Sequence, residues 1–174
     1  MSPSSPDLKI RDATRADAEA LAIIYNQGIE DRVATFETDM RDTAERTEWL
    51  ESHDPEHPVI VAEDAAGRVI GWAAISPISD RCCYRGVGEY SVYIRRDSRG
   101  AGLGTRLVQA IIERASSLGY WKLIGRMFTD NQPTIRIAKS LGFREVGVLR
   151  KHGKLDGKWR DVLEVERLFP ENQA

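Results

Sequence analysis

Cysteine is nearly missing from the chain. The 174 residues hold two, and they are neighbours, Cys82 and Cys83. Adjacent cysteines do not readily bridge each other, so no disulfide framework is expected, and free thiols in a reducing cytoplasm fit the pair. Charge of one sign is missing too. Lys and Arg number 25 against 27 Asp and Glu, a net charge of −2, which argues against nucleic acid as a partner. No apolar run approaches the roughly 20 residues of a membrane span, so no membrane partner is expected. The opening Met-Ser-Pro-Ser-Ser-Pro has no basic stretch followed by an apolar one. It does not resemble a signal peptide, and residues 1–7 are expected to be a disordered tail. Histidine is sparse. His53 and His57 lie four apart in a proline-bounded loop, a spacing that binds metal only on a helix, and no third ligand accompanies them, so no metal is expected.

What remains is a chain of one-domain length whose 41% hydrophobic content can build a core. Residues 8–168 are read as that domain and 169–174 as a C-terminal tail. Residues 8–11 alternate and predict a first strand. Thr14 is placed to cap a helix running to Ile29, and Thr43 to open a second helix with Trp49 and Leu50 on its buried side. Residues 32–38 between them are a loop. Strands are predicted over 59–62 and 69–75, a hairpin across the turn at Asp64-Ala65-Ala66-Gly67-Arg68, and a long one over 86–94. Helical spacing then runs from Leu103 through Leu107, Val108, Ile111, Ile112 and Ala115 to Leu118. A strand over 122–128, a short helix over 131–141 and a final hairpin of 143–149 with 158–168, turning at Asp156-Gly157, complete the chain. The order is β-α-α-β-β-β-α-β-α-β-β, a mixed α/β (α+β) domain.

The most informative stretch joins the long strand to its helix: Arg99-Gly100-Ala101-Gly102-Leu103-Gly104-Thr105. Glycines there let main-chain N–H groups face a ligand without a Cβ in the way, and a helix N-terminus adds unpaired donors with partial positive charge. The stretch reads as an anion cradle, most naturally for a phosphate or pyrophosphate, although an ordinary strand-to-helix turn has the same composition. Its glycines are not spaced as a dinucleotide fingerprint, and no lysine stands where a Walker A loop needs one. Upstream, Glu89 lies inside the strand, sharing a face with Val87, Ser91 and Tyr93. A carboxylate there is either a paired surface group or a general base. Arg81, Tyr84 and Arg85 precede the strand, and the guanidinium groups of the two arginines are either plain surface charges or bidentate anion binders.

The loop fits Arg/Gln-x-x-Gly-x-Gly/Ala and resembles the acetyl-CoA pyrophosphate loop of the GNAT superfamily of N-acyltransferases. The element order is also that of the GNAT fold, a central, mostly antiparallel mixed sheet flanked by helices, and the resemblance spans residues 8–168. Four further stretches, Tyr25-Asn26, Ala34 to Thr38, Gly88 to Ile94 and Gly157 to Val162, resemble the GNAT branch that contains phosphinothricin N-acetyltransferase and relatives acting on methionine sulfoximine. The resemblance implies an acetyl-CoA-dependent transfer of acetyl to the amine of a small amino acid or glutamate analogue, by direct attack in a ternary complex. It implies Glu89 as the base, working through water. It puts Tyr90, Ser91, Val92, Tyr93 and Ile94 beside the cofactor, with N–H groups of Val92 to Ile94 steadying the oxyanion. Gly100, Ala101, Gly102, Leu103, Gly104 and Thr105, with Arg99, hold the pyrophosphate.

Asn131 is suited to capping its helix, and the resemblance adds a contact to the cofactor arm. Thr35, Phe36 and Glu37 are implied to line the acceptor pocket, with Arg81 and Tyr84 near it; His152 is a weaker candidate there. Many relatives use a tyrosine on the short helix to protonate the leaving thiolate. Ile137, Ala138 and Lys139 stand in that region here, so that role has no owner. A homodimer is also implied. Two other readings stay open: an acetyltransferase for a different amine, such as a peptide N-terminus or polyamine, and a non-catalytic acyl-CoA-binding domain.

Overall fold

The β-branched and aromatic stretches of the middle of the chain form the centre of a seven-stranded sheet. The computed structural model describes residues 8–173; the expected disordered tail, residues 1–7, lies outside the described residues, as does Ala174. The strands are β1 (Lys9–Asp12), β2 (Val59–Glu63), β3 (Val69–Pro77), β4 (Val87–Ile94), β5 (Lys122–Phe128), β6 (Arg144–Leu155) and β7 (Lys158–Leu168). The helices are α1 (Ala18–Asp31), α2 (Thr43–Glu51), α3 (Leu103–Ser117) and α4 (Gln132–Ser140). Sheet order is β1-β2-β3-β4-β5-β7-β6. All neighbours are antiparallel except β4 and β5, which run parallel because α3 carries the chain back across the sheet between them. This is the mixed, mostly antiparallel sheet that the family resemblance implies. Among the described residues, no helix is long and apolar enough to cross a membrane.

Two apolar layers sandwich the sheet. On one face the buried side of α3, with Leu107, Val108 and Ile111 at 0% exposure, packs on Tyr90, Leu123 and Val165. On the other, Leu21, Ile24 and Ile29 of α1 pack on Val61 and Trp72. Strand alternation sends Tyr90, Val92 and Ile94 of β4 into the first layer and Tyr93 into the second. Glu89 and Ser91 therefore share the face of Tyr93.

Local differences from the expected elements each have a cause. Thr14 caps a 3₁₀ turn at Arg15–Asp17, and the α-helix itself begins at Ala18. Asp17 is engaged from outside the turn: its carboxylate accepts from the Thr14 N–H at 2.7 Å and pairs with Arg11 at 2.8 Å. Helix α2 opens at Thr43 as expected, and its cap is Asp42, in a reciprocal capping box with Glu45. Trp49 and Leu50 are only half-buried, and the buried residue of α2 is Arg46, at 5% exposure. Leu118 lies past the last turn of α3 and is exposed.

Strand β6 continues six residues beyond the expected end. Its register shifts between Leu149 and Gly153, a bulge in which Lys151 takes φ +49° and its N–H donates to the Asp161 carboxylate at 2.7 Å. The segment read as a C-terminal tail is tied down over its described part. Phe169 is 2% exposed, and the Asn172 amide donates to the Ser116 and Tyr120 carbonyls at 2.8 Å each.

Candidate active site

Strands β4 and β5 pair only over Val87–Glu89 opposite Lys122–Ile124. Beyond that point they part, and β5 continues its register with β7 alone. From Tyr90 to Ile94, β4 consequently has no partner strand on the β5 side. A cleft of about 330 Å³ opens at the parting. Its walls include the expected cofactor strand from Tyr90 to Tyr93, the loop residues Thr35 and Phe36, and Asn131 at the start of α4. Glu89 sits at the fork.

The Glu89 carboxylate is half-buried, with Oε2 3.0 Å from Nη1 of Arg126. The same guanidinium holds Glu164 on β7 through Nε at 2.9 Å. Burial pushes the Glu89 pKa up from the ordinary carboxylate value; Arg126 opposes that rise and Glu164 adds to it. A carboxyl group moved toward neutrality in a cleft is suited to proton transfer.

Asn131 performs the cap foreseen for it, accepting from the Thr134 N–H at 3.4 Å. Its amide also donates to the Val33 carbonyl at 3.1 Å, tying the loop after α1 to α4. Phe36 stands edge-on to Phe128 with ring centroids 4.8 Å apart. A Cβ at Gly153 would come within 2.7 Å of the Phe36 ring, so the β6 bulge and the Phe36 loop pack through a glycine. That bulge brings His152 to the cleft.

Gly100 and Gly102 take φ of +84° and +77°, a conformation that disfavours L side chains, and nothing lies within 4 Å of a Cβ built on either. Gly102 is the N-cap of α3, and no side chain caps that helix. Its first N–H groups thus lack a side-chain cap among the described residues. Gly104 serves packing: a Cβ there would lie 2.9 Å from Ile137 of α4. The side chain of Leu103 is in the core at 5% exposure, leaving its main chain for a ligand. Ala101 is exposed and Thr105 half-buried beside it. Arg99 braces the loop, reaching Asp31 at 2.6 Å and the Ile94 carbonyl at 3.1 Å.

Other expected residues fall elsewhere. Glu37 pairs with Arg41 at 2.8 Å and lines a neighbouring pocket under α2. Arg81 precedes an exposed 3₁₀ turn and Tyr84 ends it, with the Arg81 guanidinium carbon 5.9 Å from the Tyr84 ring centroid, and neither lines the cleft. Conversely, the sequence reading passed over Arg126, Phe128 and Thr134, which do line it. A single charge inside the apolar run Lys122–Phe128 was the available signal for Arg126.

A parallel pair that parts beside a carboxylate and leads to a glycine loop at a helix N-terminus offers an open strand edge followed by an anion-binding turn. The acetyltransferase (GNAT) domain model matches residues 10–163, and the chain belongs to that family. It is an N-acetyltransferase that uses acetyl-CoA. The chain is 36% identical over 154 residues to an L-methionine sulfoximine/L-methionine sulfone acetyltransferase of Pseudomonas aeruginosa, covering 88% of this chain and 90% of that protein. It is 32% identical over 162 residues to a phosphinothricin N-acetyltransferase of Streptomyces viridochromogenes, covering 93% and 88%. Among solved structures, a GNAT superfamily phosphinothricin acetyltransferase from Sinorhizobium meliloti in complex with acetyl-CoA superposes with a TM-score of 0.90 at 29% identity, covering 95% of this chain and 90% of that one. The open Gly100 and Gly102 backbone, the uncapped start of α3 and the unpaired side of β4 all fit such a cofactor.

Proposed function

We propose that this enzyme acetylates the amine of a small amino acid or glutamate analogue, of the phosphinothricin or methionine sulfoximine type, with Glu89 as general base. The half-buried Glu89 carboxylate at the fork of β4 and β5 carries this reading. Acceptor amines are mostly protonated at neutral pH, and an amine must lose that proton before it can attack. Glu89, its pKa raised by burial, takes the proton through water. Bound acetyl-CoA supplies the thioester carbonyl under attack. N–H groups of Val92 to Ile94, on the stretch of β4 without a β5 partner, steady charge developing on the carbonyl oxygen. Main-chain amides from Gly100 to Thr105 grip the pyrophosphate, and Asn131 meets the cofactor arm at the start of α4. Thr35 and Phe36 close the acceptor side, and fixing both reactants supplies part of the rate by proximity.

The enzyme works in the cytoplasm, with free Cys82 and Cys83, and as a homodimer. The final hairpin supports the dimer: Val146, Val148 and Trp159 are exposed there, and β6 is an edge of the sheet. Sedimentation of the purified chain tests it. The test of the activity is release of free thiol from acetyl-CoA across a panel of amino acids and glutamate analogues, run beside polyamines and a short peptide. Turnover is expected with the amino-acid analogues; preference for the peptide or polyamine overturns the acceptor assignment.

A further inference from the structure

Arg46 is a buried cation without an acid. It is 5% exposed, its Nε has no hydrogen-bond partner, and none of the described carboxylates pairs with it. The two carboxylates nearby are taken: Arg41 holds Glu37 at 2.8 Å and Glu45 at 3.4 Å. Around Arg46 stand rings instead, with the guanidinium carbon 4.4 Å from the centroid of Tyr25, 4.6 Å from Trp49 and 5.6 Å from Trp72. Aromatic faces attract a cation and fix its plane. They accept no strong hydrogen bonds from its N–H groups, so the cost of burying those donors is only partly offset.

A pocket of about 310 Å³ lies against this guanidinium. It extends to Ser76, Ser91 and Tyr93, and Ser91 and Tyr93 also line the cleft that holds Glu89. Ser76 is the cross-strand partner of Glu89. Ser91 is two residues further along the same face, about 7 Å by strand geometry. A small molecule with its nitrogen at Glu89 and an anionic group a few bonds away fits this arrangement. The arginines that the sequence offers for this role, Arg81 and Arg85, both lie outside the cleft.

We propose that Arg46 is the anchor for the carboxylate of the acceptor, in a subsite formed by α2 and the Ser76–Ser91 face of the sheet. The anchor rests on the acetyltransferase reading given above. It makes the enzyme selective for amino acids over simple amines, because an amine without an acid leaves the buried donors of Arg46 unpaired.

The test pairs L-methionine sulfone, which carries one carboxylate, with its α-carboxamide. Binding of each to the intact protein is followed by tryptophan fluorescence, since Trp49 and Trp72 border Arg46, and turnover is followed by thiol release. Wild type is expected to prefer the acid by about ten- to hundredfold. Arg46→Gln is expected to erase that preference by weakening the acid alone, and Arg46→Lys to restore part of it; acetyl-CoA affinity should not change in either. A retained preference in Arg46→Gln overturns the anchor. So does equal binding of acid and amide to wild type, a comparison that needs no variant to fold. Equal turnover of acid and amide sinks the anchor and leaves the enzyme standing. Selective acid binding without turnover of any amine keeps the anchor and removes the acetyltransferase reading.

Discussion

The two ends of β4 do different work with different materials. At the start, the proposed chemistry depends on side chains: Glu89, with Arg126 from β5 and Glu164 from β7. At the far end it depends on the main chain: Gly100 and Gly102 in left-handed conformations and an uncapped α3. Changes at the first end should alter turnover and its pH dependence. Changes at the second should alter cofactor binding and stability. Glu89→Gln is the sharpest separation of the two. It keeps the shape of the side chain and removes the base, so turnover near neutral pH should fall by about 10²–10⁴-fold while acetyl-CoA binding measured by calorimetry stays the same. Unchanged turnover would show that Glu89 is only a partner for Arg126.

Gly102→Ala probes the other end. The added Cβ meets no atom within 4 Å, so its cost is conformational, about 1–2 kcal/mol for holding an L-residue at this φ. In a chain of this size each kcal/mol lowers the melting temperature by about 2–4 °C. The KM for acetyl-CoA should rise while kcat at saturating cofactor holds. A fall in kcat with unchanged KM would erase the proposed division of labour between the two ends.

These ends also differed in how plainly the sequence announced them. The glycine loop, the strand before it and the helix after it are contiguous, and their conformation follows from local preferences. So does the final hairpin, whose Asp156-Gly157 pair takes φ of +48° and +76°. Asn131 could be identified as a cap because capping is decided within one turn. The surroundings of Glu89 were not legible. Arg126 lies 37 residues away and Glu164 another 38 beyond it, and only the sheet register brings the three together. Arg46 was hidden for another reason. Helix α2 is polar along most of its length, so periodicity does not reveal which of its faces is buried. The surplus of aromatic residues that packs around Arg46 comes from α1, α2 and β3, and only Trp49 is near it in sequence. Arg81 illustrates the converse, a guanidinium close in sequence to β4 that the turn at Cys82–Tyr84 leaves at the surface.

The smallest expected effects lie within the side-chain end, and their signs oppose each other. The proposed base Glu89 can work only when ionised, so on that proposal the acid limb of kcat/KM follows its pKa. Burial holds that pKa above the ordinary range, and the positive charge of Arg126 restrains it. Arg126→Gln removes the restraint, so the acid limb should move to higher pH. Glu164→Gln removes a negative neighbour that favours the protonated form. It also releases Arg126 from its bond to Glu164, leaving more of its charge for Glu89. Both consequences lower the pKa of Glu89, and the limb should move to lower pH. Arg126 is partly exposed, so salt should shrink both shifts together. Equal shifts in one direction would mean that the limb reports the acceptor amine or a general loss of packing. Opposite shifts, each reduced by salt, would tie the profile to the carboxylate at the fork of the strands.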